Sequence, residues 1–151
     1  MSGKTEPSLR VRAMRFLARR EHSRAELKRK LAARAGEGEN LDALLDDLAQ
    51  RGWLSDARFA EITARSKASR YGPRKLAHYL QSRGVKPEEI AAGIRKAGVE
   101  GTARIESIWQ SRYRAAPADE REKLRQVRFL QGRGFDLDEI FRFLKTMGAG
   151  S

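Results

Sequence analysis

The chain of 151 residues is built from a repeat whose units each end at a glycine. Gly98 follows Gly52 by 46 residues, and Gly148 follows Gly98 by 50 residues. Each unit carries three stretches in which apolar residues recur at helical spacing. Repeats of this length are typical of stacked helical modules that share interfaces mainly with their neighbours. When the three glycines are superimposed, the apolar residues that coincide are Leu44, Ile90 and Ile140, and then Leu48, Ile94 and Leu144.

Local signals predict where the helices begin and end. Ser23 and Glu26 have the spacing of a capping box, Asn40 and Ser55 precede apolar runs as N-caps, and Pro73 suits a first helical residue. No alternating apolar run is long enough for a strand. The sequence therefore predicts an all-α fold of three tandem three-helix repeats that form an elongated, curved modular array. We divide the chain into a flexible N-terminal segment at 1–8, repeats at 9–53, 54–99 and 100–148, and a tail at 149–151.

Composition excludes several kinds of site. The chain has no cysteine, which excludes disulfides, thiolate zinc sites and cysteine nucleophiles. His22 and His78 are the two histidines; they lie far apart, and we expect each to be a surface or capping residue. No phosphate-binding loop, metal-binding pair or nucleophile elbow is present, so we expect no cofactor, no metal and no enzymatic activity. No apolar run approaches a membrane span or a signal peptide, which favours the cytoplasm.

Positive charge is placed unevenly along the chain. The formal net charge is +12. Residues 10–34 hold ten Lys or Arg against two acids, and residues 65–83 hold six against none. The acids collect instead in the third helix of each unit, so the first and second helices are the basic ones. If the units stack in register, the basic helices line one side, which is typical of a polyanion binder. The alternative is a basic soluble protein without such a partner.

Four aromatic residues lie among these charges and have the chemistry to stack on nucleic-acid bases. They are Tyr71, Tyr79, Trp109 and Tyr113. Packing into the core is the competing interpretation. We favour the core for Tyr79 and Trp109, and we leave both interpretations open for Tyr71.

Three blocks of sequence occur in a fixed order and resemble the signatures of one family. Residues 19–27 read RREHSRAEL; residues 56–59, 65–67 and 71–74 read DARF, RSK and YGPR; and residues 128–135 read RFLQGRGF. These blocks resemble the signatures of the RecX regulatory proteins, which modulate the RecA recombinase. The likeness extends over nearly the whole chain.

The resemblance implies both a fold and a function. It implies three tandem three-helix repeats that act as a monomer, without a membrane, on RecA and on the groove of the RecA–single-stranded DNA filament. RecX-like proteins generally suppress ATP hydrolysis, strand exchange and assisted repressor cleavage by RecA. Two departures are present: Arg70 replaces the first glycine of the family's Gly-Tyr-Gly-Pro element, and residues 115–122 match no signature.

The signatures and the charge pattern together suggest a contact surface for RecA or DNA. Gly84 and Gly134 are interpreted structurally, as helix ends that need a left-handed backbone. A stand-alone DNA- or RNA-binding protein and an enzyme of unrecognised type are the rival functions. The candidate contact residues are Arg19, Arg20, Arg24, Arg65, Lys67, Arg70, Tyr71, Arg74, Lys75, Arg128 and Arg133.

Overall fold

The computed structural model describes residues 7–36, 39–98 and 102–148, and the regular secondary structure of these residues is entirely helical. The helices follow one another as three triplets. None of the described helices is both long and apolar enough to cross a membrane. The helices are α1 Leu9–Arg19, α2 Arg24–Ala32, α3 Leu41–Gln50, α4 Asp56–Lys67, α5 Pro73–Ser82, α6 Pro87–Lys96, α7 Thr102–Gln110, α8 Glu120–Gly132 and α9 Leu137–Thr146.

Each triplet closes over its own hydrophobic core. Leu48, Ile94 and Leu144, which the sequence repeat superimposes, are buried in the first, second and third core respectively. The closest helix packing lies within the triplets, and the three cores share no residue. The hydrophobic effect therefore stabilises three small modules in a row instead of one central core. The prediction of an all-α fold of three tandem three-helix repeats is confirmed.

The predicted capping residues occupy their helix ends. Ser23 Oγ accepts a hydrogen bond from the Glu26 N–H at 3.1 Å, and the Ser23 N–H donates to Glu26 Oε1 at 3.4 Å. Asn40 Oδ1 accepts from the Ala43 N–H at 3.0 Å, and Pro73 is the first residue of α5. Local sequence thus sets the positions at which the helices begin.

The second helices of the three triplets, α2, α5 and α8, lie head to tail. Ser23 at the start of α2 donates its hydroxyl to the carbonyl of Arg83 after α5, at 2.6 Å. At the next junction, Gly72 before α5 donates its N–H to the carbonyl of Arg133 after α8, also at 2.6 Å. Ser23 and Gly72 are the N-caps of their helices, and Arg83 and Arg133 are the C-caps. The two junctions therefore use equivalent positions, and at each of them the N-terminus of one helix meets the C-terminus of another.

Glycines permit this close approach at the second junction. A Cβ atom on Gly72 would lie 2.8 Å from the carbonyl oxygen of Gly134, and one on Gly134 would lie 2.5 Å from Lys75 Cβ. The Arg74 N–H donates to the Gly134 carbonyl at 2.9 Å. Gly134 has a φ of +105° and Gly84 has a φ of +81°, so both predicted left-handed helix ends are present.

Two sequence predictions fall wholly or partly outside the described residues. Of the N-terminal segment at 1–8, residues 1–6 lie outside, whereas Ser8 caps α1 by accepting a hydrogen bond from the Val11 N–H at 3.2 Å. The tail at 149–151 also lies outside the described residues.

His22 is buried, so the prediction that it is a surface or capping residue is wrong. Its exposed fraction is 1%, and its ring lies 5.8 Å from the ring of Phe16. Nδ1 lies 3.0 Å from the Arg20 carbonyl oxygen, and Nε2 lies 2.9 Å from Lys30 Nζ. Because the carbonyl can only accept and the ammonium can only donate, Nδ1 carries the proton of a neutral ring. His78 is exposed, as predicted.

The surroundings of His22 make the fold sensitive to acid. Burial is the largest cause that lowers the pKa of His22, and the hydrogen bond with the Arg20 carbonyl opposes it. The positive charges of Arg20 and Lys30 lower the pKa further, Glu26 raises it slightly, and the net shift is downward. The unfolded chain therefore binds a proton at His22, near pH 6.5, before the folded chain does. The contribution of neutral His22 to the free energy of unfolding is therefore fully present above that pH. It is lost as the pH falls towards the lower pKa of His22 in the folded state.

We expect the urea midpoint of unfolding to fall between about pH 7.5 and pH 5.5, with His22 contributing a slope of at most about 1.4 kcal/mol per pH unit. His22→Asn should remove this part of the slope. His78→Asn, at an exposed site, should leave it in place. Equal slopes for the wild type and His22→Asn would contradict this role of His22.

Candidate functional site

Tyr71 is the centre of a cationic cluster at the junction of the second and third triplets. Lys75 Nζ lies 4.6 Å from the centroid of its ring, and the guanidinium carbon of Arg70 lies 5.7 Å from it. Arg133 Nη1, from the third triplet, donates to the Arg70 carbonyl at 3.1 Å. We call Arg70, Tyr71, Arg74, Lys75 and Arg133 the junction cluster. All five are predicted contact residues, and the fold brings them together from two repeats.

A cleft of about 320 Å³ opens beside the junction cluster. Arg74, Lys75 and His78 line it from α5, and Gln131 and Phe135 line it from the third triplet. The Arg74 side chain is exposed and forms no ion pair within the described parts of the chain. An arginine beside a lysine at such an opening can bind a carboxylate or a phosphate oxygen from outside the molecule.

The ring of Tyr79 is enclosed by two cations at the first junction. Lys67 Nζ and the guanidinium carbon of Arg83 each lie 4.8 Å from its centroid. Cations over an aromatic face are attracted to it and are held in place by it. Tyr79 is also partly buried against the core of the second triplet. Its ring face is therefore already covered, and its observed role is to position Lys67 and Arg83 at the surface.

The third triplet repeats this arrangement around Phe129. The guanidinium carbon of Arg133 lies 5.0 Å from the centroid of the Phe129 ring, and the guanidinium carbon of Arg112 lies 5.2 Å from the same centroid. Phe129 occupies the position of Tyr79 when Leu80 and Leu130 are superimposed. The candidate contact residues did not include Arg83, Arg112 and Phe129. A signal for Arg83 is present in the sequence, because Arg83 and Arg133 each directly precede the glycine that ends a second helix.

The structure places Trp109 in the core and leaves Tyr71 partly exposed. Trp109 is 2% exposed, and its Nε1 donates to Gln126 Oε1 at 2.8 Å, which confirms a core position. Tyr71 is half buried against the second core, and Arg70 and Lys75 lie over its ring.

Arg20 is committed to a contact inside the protein. Its guanidinium forms two hydrogen bonds with Glu26, at 2.8 Å and 3.1 Å, and Glu26 is only 5% exposed. Arg83 Nη1 approaches the same carboxylate at 3.5 Å. Burial acts to raise the pKa of Glu26, but the hydrogen bonds and charge of Arg20 outweigh it and hold the pKa below its ordinary value. The contact between Arg83 and Glu26 joins the second triplet to the first.

The remaining candidate residues divide into two groups. Arg24 forms an ion pair with Asp46 at 2.7 Å, and Arg65 forms one with Glu61 at 3.0 Å. Arg19 and Arg128 are exposed, and neither has an ion-pair partner in the part of the chain that the structure describes. Among the candidate contact residues, those without an ion pair in the described part of the chain are therefore Arg19, Lys67, Arg128 and the cations of the junction cluster.

Family comparisons match the chain triplet by triplet. The models of the first, second and third three-helix domains of RecX match residues 10–48, 55–94 and 99–144 respectively. The chain belongs to the RecX family. The regulatory protein RecX of Leptothrix cholodnii is 39% identical over 144 residues, covering 95% of this chain and 92% of that protein. The RecX protein of Chromobacterium violaceum is 42% identical over 137 residues, covering 91% and 89%.

The fold of the RecX family is shared as well. The crystal structure of RecX from Lactobacillus salivarius matches with a TM-score of 0.79 at 16% identity, over 93% of this chain and 94% of that one. A second RecX crystal structure matches with a TM-score of 0.74. The sequence relatives are named as regulatory proteins, so this chain is a regulator of the RecX type.

Proposed function

We propose that this protein binds RecA and the groove of the RecA–single-stranded DNA filament in the cytoplasm. There it modulates, mostly by inhibition, the recombinase, ATPase and coprotease activities of RecA in recombinational repair and the SOS response. Family membership supports the partner. The arrangement of the second helices supports the mode of binding.

The head-to-tail row of α2, α5 and α8 is the observation that carries the proposal. Arg83 and Arg133 occupy equivalent C-caps and each lies over an aromatic ring, at 4.8 Å and 5.0 Å. Arg133 meets Gly72 at one end of α5 and Arg83 caps the other end, so the two cations are separated by roughly 17 Å of helix at 1.5 Å per residue. A filament presents the same anionic groups at regular intervals. Two equivalently placed cations can therefore contact the same group on neighbouring filament subunits, and modest contacts combine by multivalency.

The surface chemistry suits a partner that carries carboxylates or phosphates. The junction cluster has three arginines, whose planar guanidinium groups form paired hydrogen bonds with either anion. The Tyr71 ring holds Arg70 and Lys75 near fixed positions, and the Arg70 carbonyl does the same for Arg133. Less side-chain entropy is then lost on binding.

Addition of the purified protein to RecA, single-stranded DNA and ATP is expected to slow ATP hydrolysis at fewer than one chain per RecA subunit. Because a row of equivalent contacts spans more than one subunit, one bound chain should affect its neighbours as well. Hydrolysis is followed as phosphate release. An unchanged rate at ratios where co-sedimentation demonstrates binding to the filament would contradict the proposed function.

A stand-alone nucleic-acid-binding protein is the second candidate, and the net charge of +12 favours it. Such a protein would bind naked single-stranded DNA as tightly as the RecA-coated strand. Its affinity would fall with salt by a log–log slope of about −0.7 per phosphate contacted. Comparison of the two substrates in the same salt series separates the candidates.

A further inference from the structure

An apolar groove with a cationic rim lies between α1 and α2 of the first triplet, away from the junction cluster. Its volume is about 470 Å³. Phe16 and Leu31 line the floor, and the rim carries Arg15, Arg19 and Arg34. Phe16 is only partly buried against the first core, so part of its side chain remains exposed in the groove beside Lys30 and His22.

Ion pairing in the described part of the first triplet differs between the two sides of α2. On the other side of α2, Arg24 is paired with Asp46 at 2.7 Å and Lys28 with Asp42 at 2.9 Å, so the acids of α3 serve that side. Arg15, Arg19 and Arg34 are exposed, and the described ranges contain no ion-pair partner for them. The net positive charge of the first triplet is therefore concentrated where the apolar groove opens.

Two features of the groove select the kind of anion that fits it. Lys30 Nζ lies 5.0 Å from the centroid of the Phe16 ring, and His22 packs at 5.8 Å from the same ring. A nucleic-acid base has no open aromatic face on which to stack. The apolar floor instead suits a branched or aromatic side chain, and the rim suits carboxylates on either side of it.

We propose that the α1–α2 groove of the first triplet binds an acidic peptide segment of a partner protein. A large apolar side chain of that segment packs on the exposed part of Phe16, at the floor of the groove. Carboxylates before and after it contact Arg15 on α1 and Arg34 beyond the end of α2. This site is separate from the junction cluster, and the proposal holds whether or not the partner is RecA.

The probe is a fluorescein-labelled synthetic peptide in which a Leu-Phe pair lies between two runs of glutamate. Binding to the full chain is measured by fluorescence anisotropy in the absence of RecA and DNA. A second peptide, with the Leu-Phe pair replaced by two serines, keeps the charge and lacks the apolar side chains. We expect the serine peptide to bind at least about tenfold more weakly, because it buries no apolar surface on the floor.

The protein variants test the rim. The double substitution Arg15→Gln with Arg34→Gln should weaken binding of the Leu-Phe peptide by about fivefold or more. Arg121→Gln with Arg125→Gln is the matched control, because it removes two exposed arginines from α8 and changes the net charge equally. The control should stay within about twofold of the wild type. Unchanged circular dichroism verifies that each variant is folded.

Three results would overturn the proposal. Equal weakening by the two double variants would mean that the peptide responds to net charge alone. Equal binding of the two peptides would exclude the apolar floor. Tighter binding of single-stranded oligothymidylate, with loss in Arg15→Gln and Arg34→Gln, would make the groove a nucleic-acid site. The RecA assay is independent, so failure of the filament proposal leaves this result unaffected, and the reverse also holds.

Discussion

Replacement of Gly134 by alanine is expected to lower the free energy of unfolding by about 3 kcal/mol. Gly134 has a φ of +105°, a conformation that side chains rarely adopt. A Cβ atom there would lie 2.5 Å from Lys75 Cβ and 2.6 Å from the Lys75 backbone nitrogen. Backbone of the second triplet cannot move aside without breaking the hydrogen bonds from Gly72 and Arg74 to the end of α8. The strain and the clash therefore add.

Urea unfolding followed by the fluorescence of Trp109, which is buried in the third core, measures this effect. Two glycines serve as controls. Gly52→Ala has the same kind of left-handed φ, +80°, but open space around its Cβ position, so it should lose only about 1 kcal/mol. Gly132→Ala, at the end of α8 with open space, should be neutral or stabilising. If Gly134→Ala lowers the free energy of unfolding no more than Gly52→Ala does, the junction is not tightly packed.

The limits of the helices could be predicted from the sequence because their causes are local. The capping box of Ser23 and Glu26 and the position of Pro73 act within one turn of chain, and the structure has them as predicted. The junctions could not be predicted in this way. The hydrogen bond from Gly72 to Arg133 joins residues of different repeats, and no local pattern distinguishes it from ordinary helix ends.

The candidate contact residues also differ in how far local sequence predicts their surroundings. Arg70, Tyr71, Arg74 and Lys75 are neighbours in sequence, so a dense basic segment was enough to predict that they lie together. A count of charges cannot tell a free arginine from a paired one. Arg20 lies in the same kind of basic segment, yet it is bound to Glu26.

His22 illustrates the same limit in the interior. Its burial depends on contacts with Phe16 on α1 and Lys30 on α2, which only the packing of the two helices creates. Its sequence neighbours are charged or polar and pointed to the surface. The burial of such a polar side chain depends on how the helices pack, and the periodicity of the sequence does not predict it.

Reversal of charge at Arg70, Arg74 and Lys75, all to glutamate, is expected to weaken binding to the RecA–single-stranded DNA filament by at least about 100-fold. These three side chains supply most of the positive charge of the junction cluster. Glutamates in their place would repel the anionic groups that the arginines and lysine are proposed to contact, and the cations over Tyr71 would be lost. The variant should also inhibit ATP hydrolysis by the filament less strongly, in parallel with its weaker binding.

Net charge alone must be separated from position. Arg95→Glu, Lys96→Glu and Lys145→Glu together make the same change in net charge at exposed ends of α6 and α9. Screening at physiological salt reduces interactions beyond roughly 8 Å, so this control should lose much less affinity. Binding is measured by co-sedimentation with the filament after circular dichroism verifies the fold. Equal losses of affinity in the two triple variants would mean that binding depends on net charge and not on the junction cluster. An unaltered affinity of the Arg70, Arg74 and Lys75 variant would exclude the junction cluster from the mechanism.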